Sequence, residues 1–196
     1  ATIFYKSRAA LDIKRGTIMS HQLKTIWAEQ VDADCPLNEY PRPNLVRDSY
    51  ICLNGSWDCR MGKKGEKSRY AGPILVPFSP EAPLSGVQKT LGPDEQLFYQ
   101  KAFTLPSNFC RGRLLLHFEA VDQECQVFLN GRLLGEHKGG YLPFSFDVTP
   151  FVQAGENLLS LTVTEATEYT SHARGKQQLC RRGICRSLFY TPQSGI

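Results

Sequence analysis

Between residues 124 and 129, apolar side chains fall on alternate positions: Cys125, Val127 and Leu129 face one way, Gln126 and Phe128 the other. A period of two is the mark of a strand with one buried face. Asn130-Gly131 follows, the pair best suited to two consecutive left-handed residues in a tight hairpin turn. Residues 132–136 then read as the returning strand. The same grammar recurs downstream. Phe144, Phe146 and Val148 alternate, and Leu158, Leu159, Leu161 and Val163 stand against Ser160, Thr162 and Thr164. Residues 97–103 and 113–119 read as further strands. Residues 50–53 lead into a second Asn-Gly pair, Asn54-Gly55, which predicts a turn back into residues 56–60. Residues 74–78 are β-prone but interrupted by Pro77, which suggests an edge strand or a strand end. No long amphipathic helix follows residue 40, and there is no internal repeat or low-complexity linker. Short strands joined by such turns predict an antiparallel sandwich or barrel.

The region before residue 40 differs. Residues 22–31 place Ile26, Trp27 and Gln30 on one side of a helical period, which predicts a short helix. Pro36, Pro41 and Pro43 end it. The expected division is an extension over 1–39, poorly structured or briefly helical, and one β domain over 40–196. The chain starts with Ala1, and Met19 opens the more protein-like stretch. Residues 1–18 are therefore expected not to be native coding sequence. Ser194-Gly195-Ile196 reads as the middle of something longer.

Composition narrows the function. Of 196 residues, 41% are hydrophobic and 21% charged, which fits a folded domain. No run approaches the roughly 18 apolar residues of a membrane helix, so no membrane partner is expected. The net charge is +4. Its basic clusters, 61–69 and 174–186, read as solvated loops, without the interleaved exposed aromatics of a nucleic-acid groove. Seven cysteines form no Cys-x-x-Cys pair, so no metal site is expected. Reduced cysteines and a cytoplasmic location are expected. The carboxylates Asp94-Glu95, Glu119-Asp122-Glu124 and Glu165/Glu168 read as surface groups without a partner base. No nucleophile elbow, phosphate loop or zinc-protease motif is present. Neither a catalytic residue nor a cofactor is predicted.

These residues resemble family 2 glycoside hydrolases, the group of β-galactosidases, β-glucuronidases and β-mannosidases. Leu53-Asn54-Gly55-Ser56-Trp57 is similar to the family's opening motif, and Val76-Pro77 and residues 98–103 to its next two. The strongest likeness is FEAVDQECQVFLNGRLLGEHKGGYLPFSFDVT, residues 118–149. Residues 174–177 and 190–196 resemble the stretch that closes the family's first domain. Tyr50 and Phe98 stand where tryptophan is common, and 178–188 looks expanded.

The resemblance implies a jelly-roll β-sandwich of the galactose-binding-like type. It also implies an immunoglobulin-like domain and a (β/α)8 barrel elsewhere in the same polypeptide. The barrel would carry the two glutamates of the retaining mechanism, with carboxyls ~5 Å apart. This chain is then the accessory sugar-binding domain, inactive alone, of an enzyme acting on terminal β-glycosides. By the same resemblance, Glu168 reaches toward the sugar pocket, and Arg174, Lys176 and Gln177 lie near its rim or at an interdomain seam. The Gly139-Gly140-Tyr141 loop has a binding reading and a structural one. In the structural one the glycines take positive φ and Tyr141 packs under the sandwich. Two other functions stay open: an autonomous carbohydrate-binding module, or an interaction sandwich without enzyme activity. Trp27 outside the core and Trp57 within a core strand speak against the module. The sugar itself, galactoside, glucuronide or mannoside, is not encoded here.

Overall fold

The computed structural model describes residues 25–165, 171, 173, 177–178 and 190–196. Eight strands follow in order: β1 (Gly55–Lys63), β2 (Tyr70–Val76), β3 (Glu95–Thr104), β4 (Leu115–Phe118), β5 (Glu124–Leu129), β6 (Arg132–Lys138), β7 (Phe144–Asp147) and β8 (Glu156–Thr164). Six form one sheet in the order β2-β1-β3-β8-β5-β6, and β4 pairs with β7 in a second. All pairings between these strands are antiparallel. The two sheets enclose one core, the all-β sandwich the alternation predicts.

The inner face of the large sheet is built in rows. Cys59 pairs with Tyr99, Tyr99 with Leu161, and Leu161 with Val127. One step along, Met61, Leu97, Val163 and Cys125 form a second row. All eight are buried. Each large apolar member contributes roughly 1.5–3 kcal/mol by leaving water. The second sheet closes the core with Phe118 stacked on Phe144 and with Phe146 edge-on to Phe144. Gly135 lets the Phe146 ring lie against β6, since an added Cβ would meet that ring at 2.6 Å.

β5 and β6 form the expected hairpin. Asn130 and Gly131 have φ of 50° and 78°, the two left-handed residues the turn requires. Residues 74–76 end β2, an edge strand, where Pro73 removes no needed ladder bond.

Three expectations fail. Residues 50–54 form no strand, and Asn54-Gly55 is no hairpin turn. The Asn54 side chain instead donates to the Pro36 carbonyl at 2.8 Å, and the backbone of Gly55 (φ +104°) lies against the Asp34 carbonyl, where no Cβ would fit. A crossing by the segment before the sandwich has taken the place of a turn. The predicted helix over 22–31 shortens to one 3-10 turn, Ala28–Gln30; residues 22–24 lie outside the described ones. Ile26 and Trp27 are exposed, and a helix this short needs an apolar face to cover. Finally, Leu158 points outward and Asn157 inward.

Candidate functional site

One end of the sandwich brings together Glu81, Tyr99, Asp122 and Glu165, each buried or half-buried. Here β8 finishes, the loop between β4 and β5 turns, the Gly139-Gly140 loop begins, and residues 194–196 return. The inward positions of β8 are 157, 159, 161 and 163. One step further by the same parity is Glu165, which is buried. Its carboxyl is hydrogen-bonded to that of Asp122. Burial first, then the charge of Glu165 and the hydrogen bond with it, then the charge of Glu81, push Asp122 up to about 7.

The surrounding backbone locks this pair in place. Asp122 and Gly195 exchange two backbone hydrogen bonds, at 2.8 and 2.9 Å. Gln123 donates its N–H to the Thr164 carbonyl, and Gly139 donates to the Gln123 carbonyl. A Cβ on Gly140 would strike the Asp122 carboxylate, and one on Gly195 would strike the Tyr99 hydroxyl. Both glycines are therefore required by close approach.

Glu81 forms the far side of the network. Its carboxylate accepts from the Ser194 N–H and hydroxyl, at 3.2 and 2.9 Å, and from the Leu91 N–H at 3.2 Å. Burial raises its pKa, and the bonds from Leu91 and Ser194 oppose that rise. Burial also holds the Tyr99 phenol well above its ordinary value. The oxygens of Glu81 are occupied by backbone and serine donors. Chemically, this is an anchor for three chain segments rather than a reacting couple.

The reading of the carboxylates as surface groups needs correction. It holds for Glu119, whose side chain is 62% exposed, and Glu124 keeps an exposed pair with Lys138. It fails for Glu165 and for half-buried Asp122. It fails also for Glu95, which Arg69 clasps through Nε and Nη2 at 2.7 and 2.6 Å. That clasp and the Gly92 N–H lower the Glu95 pKa. It makes Arg69 more than part of a solvated basic loop.

Of the candidate site residues, Glu168, Arg174 and Lys176 lie outside the described residues. Gln177 is described: its Oε1 accepts the Gln193 N–H at 2.8 Å, and its backbone bridges Tyr190. The Gly139-Gly140-Tyr141 loop departs from its structural reading, because Tyr141 is 62% exposed rather than packed below the sandwich. Gly139 does take positive φ, at 115°. Trp57 is buried, and its indole N–H donates to the Leu53 carbonyl. Phe98 faces outward under the Arg60 guanidinium, 4.4 Å from its ring centre.

The sandwich and its polar end can be set beside known proteins. The family model described as "Glycosyl hydrolases family 2, sugar binding domain" matches residues 25–192, and the chain belongs to that family. A β-galactosidase from Thermoanaerobacter pseudethanolicus is 40% identical over 68 residues, 34% of this chain and 9% of the relative. A β-glucuronidase from Bacteroides fragilis is 40% identical over 109 residues, 54% of this chain and 15% of the relative. Among solved structures, the β-D-mannosidase from Dictyoglomus thermophilum superposes with a TM-score of 0.50 at 22% identity, over 59% of this chain and 16% of the other. That likeness concerns the fold alone. The chain thus spans well under a fifth of the length of these relatives.

Proposed function

We propose that this sandwich is the accessory sugar-binding domain of a retaining glycosidase that removes terminal β-glycosides. The observation that carries the reading is the family match over 25–192, in relatives of which this chain spans 9% to 15%. The acid/base and nucleophile glutamates, ~5 Å apart, would stand on a barrel domain, joined through an immunoglobulin-like one. This domain's share is to buttress the barrel and supply chain to its pocket. The buried junction of Glu165, Asp122 and Gly195 supports that role, because it fixes the root from which residue 166 onward departs. Glu168 then accepts hydrogen bonds from sugar hydroxyls, strengthened by its charge. Arg174 and Lys176 stand near the rim. Gln177, whose side chain is engaged by Gln193, serves in packing there.

The test is Glu168→Ala in a full-length enzyme carrying this domain. Loss of one or two charge-assisted bonds lowers kcat/KM by about 10- to 100-fold, with the thermal midpoint unchanged. Unaltered kinetics would exclude the role. Calorimetric titration of this chain with methyl β-galactoside and β-glucuronide separates an accessory domain from an autonomous binding module. The accessory reading expects no saturable heat, and saturable binding supports the module.

A further inference from the structure

The segment before the sandwich lies across the lead-in to β1. Asn54 Nδ2 donates to the Pro36 carbonyl, and Gly55 sits against the Asp34 carbonyl. Residues 34–36 therefore run beside residues 54–55, with Cys35 inside the first stretch and Cys52 two residues before the second. Cys52 lies near enough to the Cys35 thiol to help raise its pKa. Both are partly exposed. Lys101 reaches the same spot and donates to the Asn54 and Ser56 carbonyls at 3.3 and 3.0 Å.

We propose that Cys35 and Cys52 form a reversible intramolecular disulfide that staples the N-terminal segment to the sandwich. The reaction is exchange with a small-molecule disulfide. One protein thiolate attacks that disulfide, expels one small thiolate and leaves a mixed disulfide. The second protein thiolate attacks the protein sulfur of the mixed disulfide and expels the other small thiolate. Two protein thiols are oxidised to one disulfide, and one small disulfide is reduced to two thiols that take up the two protons.

The other described cysteines set the contrast. Cys59 and Cys125 are buried, their thiols pushed up to about 12 and about 11 by loss of solvent. Both are inert to exchange. Cys110 is exposed on another loop. The Cys35 thiol is also raised, by partial burial and by Cys52, with Lys101 opposing. Exchange is accordingly slow at neutral pH and faster at mildly alkaline pH. The bridge would close a loop of about 18 residues and restrict the unfolded chain.

The experiment uses the full chain, reduced and then incubated with oxidised glutathione. Free thiols are alkylated, and tryptic peptides are sequenced by mass spectrometry. The expected product links peptide 25–47 to peptide 48–60, with fragment ions placing the bridge on Cys52 rather than Cys59. Dithiothreitol reverses it. The oxidised protein melts about 5 °C higher than the reduced one. Cys52→Ser and Cys35→Ser each remove both effects while leaving the reduced midpoint in place. The proposal fails if Cys35 and Cys52 emerge singly alkylated or glutathionylated, or if either is bridged to another cysteine. A Cys35–Cys52 bridge with no rise in the midpoint also overturns the staple.

Discussion

β5 and β8 lie side by side and are pinned at both ends by a pair of polar residues. At one end the pair is amide: Asn130 on the hairpin and Asn157 at the start of β8. At the other it is carboxyl: Asp122 before β5 and Glu165 after β8. The amide end is self-sufficient. Asn157 Oδ1 accepts from Asn130 Nδ2 and the Gln153 N–H, both at 2.9 Å, and its Nδ2 donates to the Gln153 and Gly155 carbonyls. Asn130 also accepts the Leu158 N–H and donates to Phe151. These groups carry no charge, so their burial costs little once they are bonded. The carboxyl end must bury ionisable groups, and burial holds the Asp122 carboxyl far above its ordinary value, so ionising it near neutral pH lowers stability. One end closes the fold at no electrostatic cost. The other bears such a cost beside the chain segment proposed to meet sugar.

The largest expected effect breaks the amide end. Asn157→Ala removes four hydrogen bonds and leaves backbone groups unpaired in a buried site. It should lower stability by about 3 kcal/mol, read from urea unfolding, with no change between pH 5 and pH 8. The next change acts on the carboxyl end. The folded-state pKa of Asp122, about 7, lies above its unfolded value. The folded protein therefore holds this proton more tightly. The associated stability is complete below about pH 4, declines as pH rises through 7, and is absent above. Asp122 is half-buried, so screening reduces the effect to roughly 1–2 kcal/mol between pH 5 and pH 8. Asp122→Asn keeps a hydrogen-bonding partner for Glu165. It should flatten that slope and stabilise the protein at pH 8, as thermal midpoints at the two pH values will show. The smallest effect returns to the hairpin. Gly131→Ala meets open space but must hold φ +78°. It should cost about 1 kcal/mol by the same urea assay.

The same contrast shows what the sequence can carry. Alternation and the Asn130-Gly131 pair identify β5 and β6 because the strand, the turn and the return are all local. Asn54-Gly55 is an identical dipeptide with a different outcome. Its surroundings are set by Pro36 and Asp34, which reach it from another part of the chain, and no local pattern announces that crossing. Outward Leu158 and inward Asn157 follow from hydrogen bonds to Asn130 and Gln153, which outrank the preference of leucine for the core. The carboxyl end was half legible. The parity of Leu159, Leu161 and Val163, carried on by one step, points Glu165 inward, although its charge argues for the surface. Asp122 and Glu81 carry no such sign, since loops bring them together with Ser194 from a distant part of the chain.

The most direct check on the account is turnover by this chain alone. The purified protein is incubated with 4-nitrophenyl β-galactoside, β-glucuronide and β-mannoside, and release of 4-nitrophenol is followed. An accessory sugar-binding sandwich predicts no release above the uncatalysed rate with any of the three. Steady hydrolysis of one of them, abolished by Asp122→Asn or Glu165→Gln, would contradict it and place the chemistry in the carboxyl end itself.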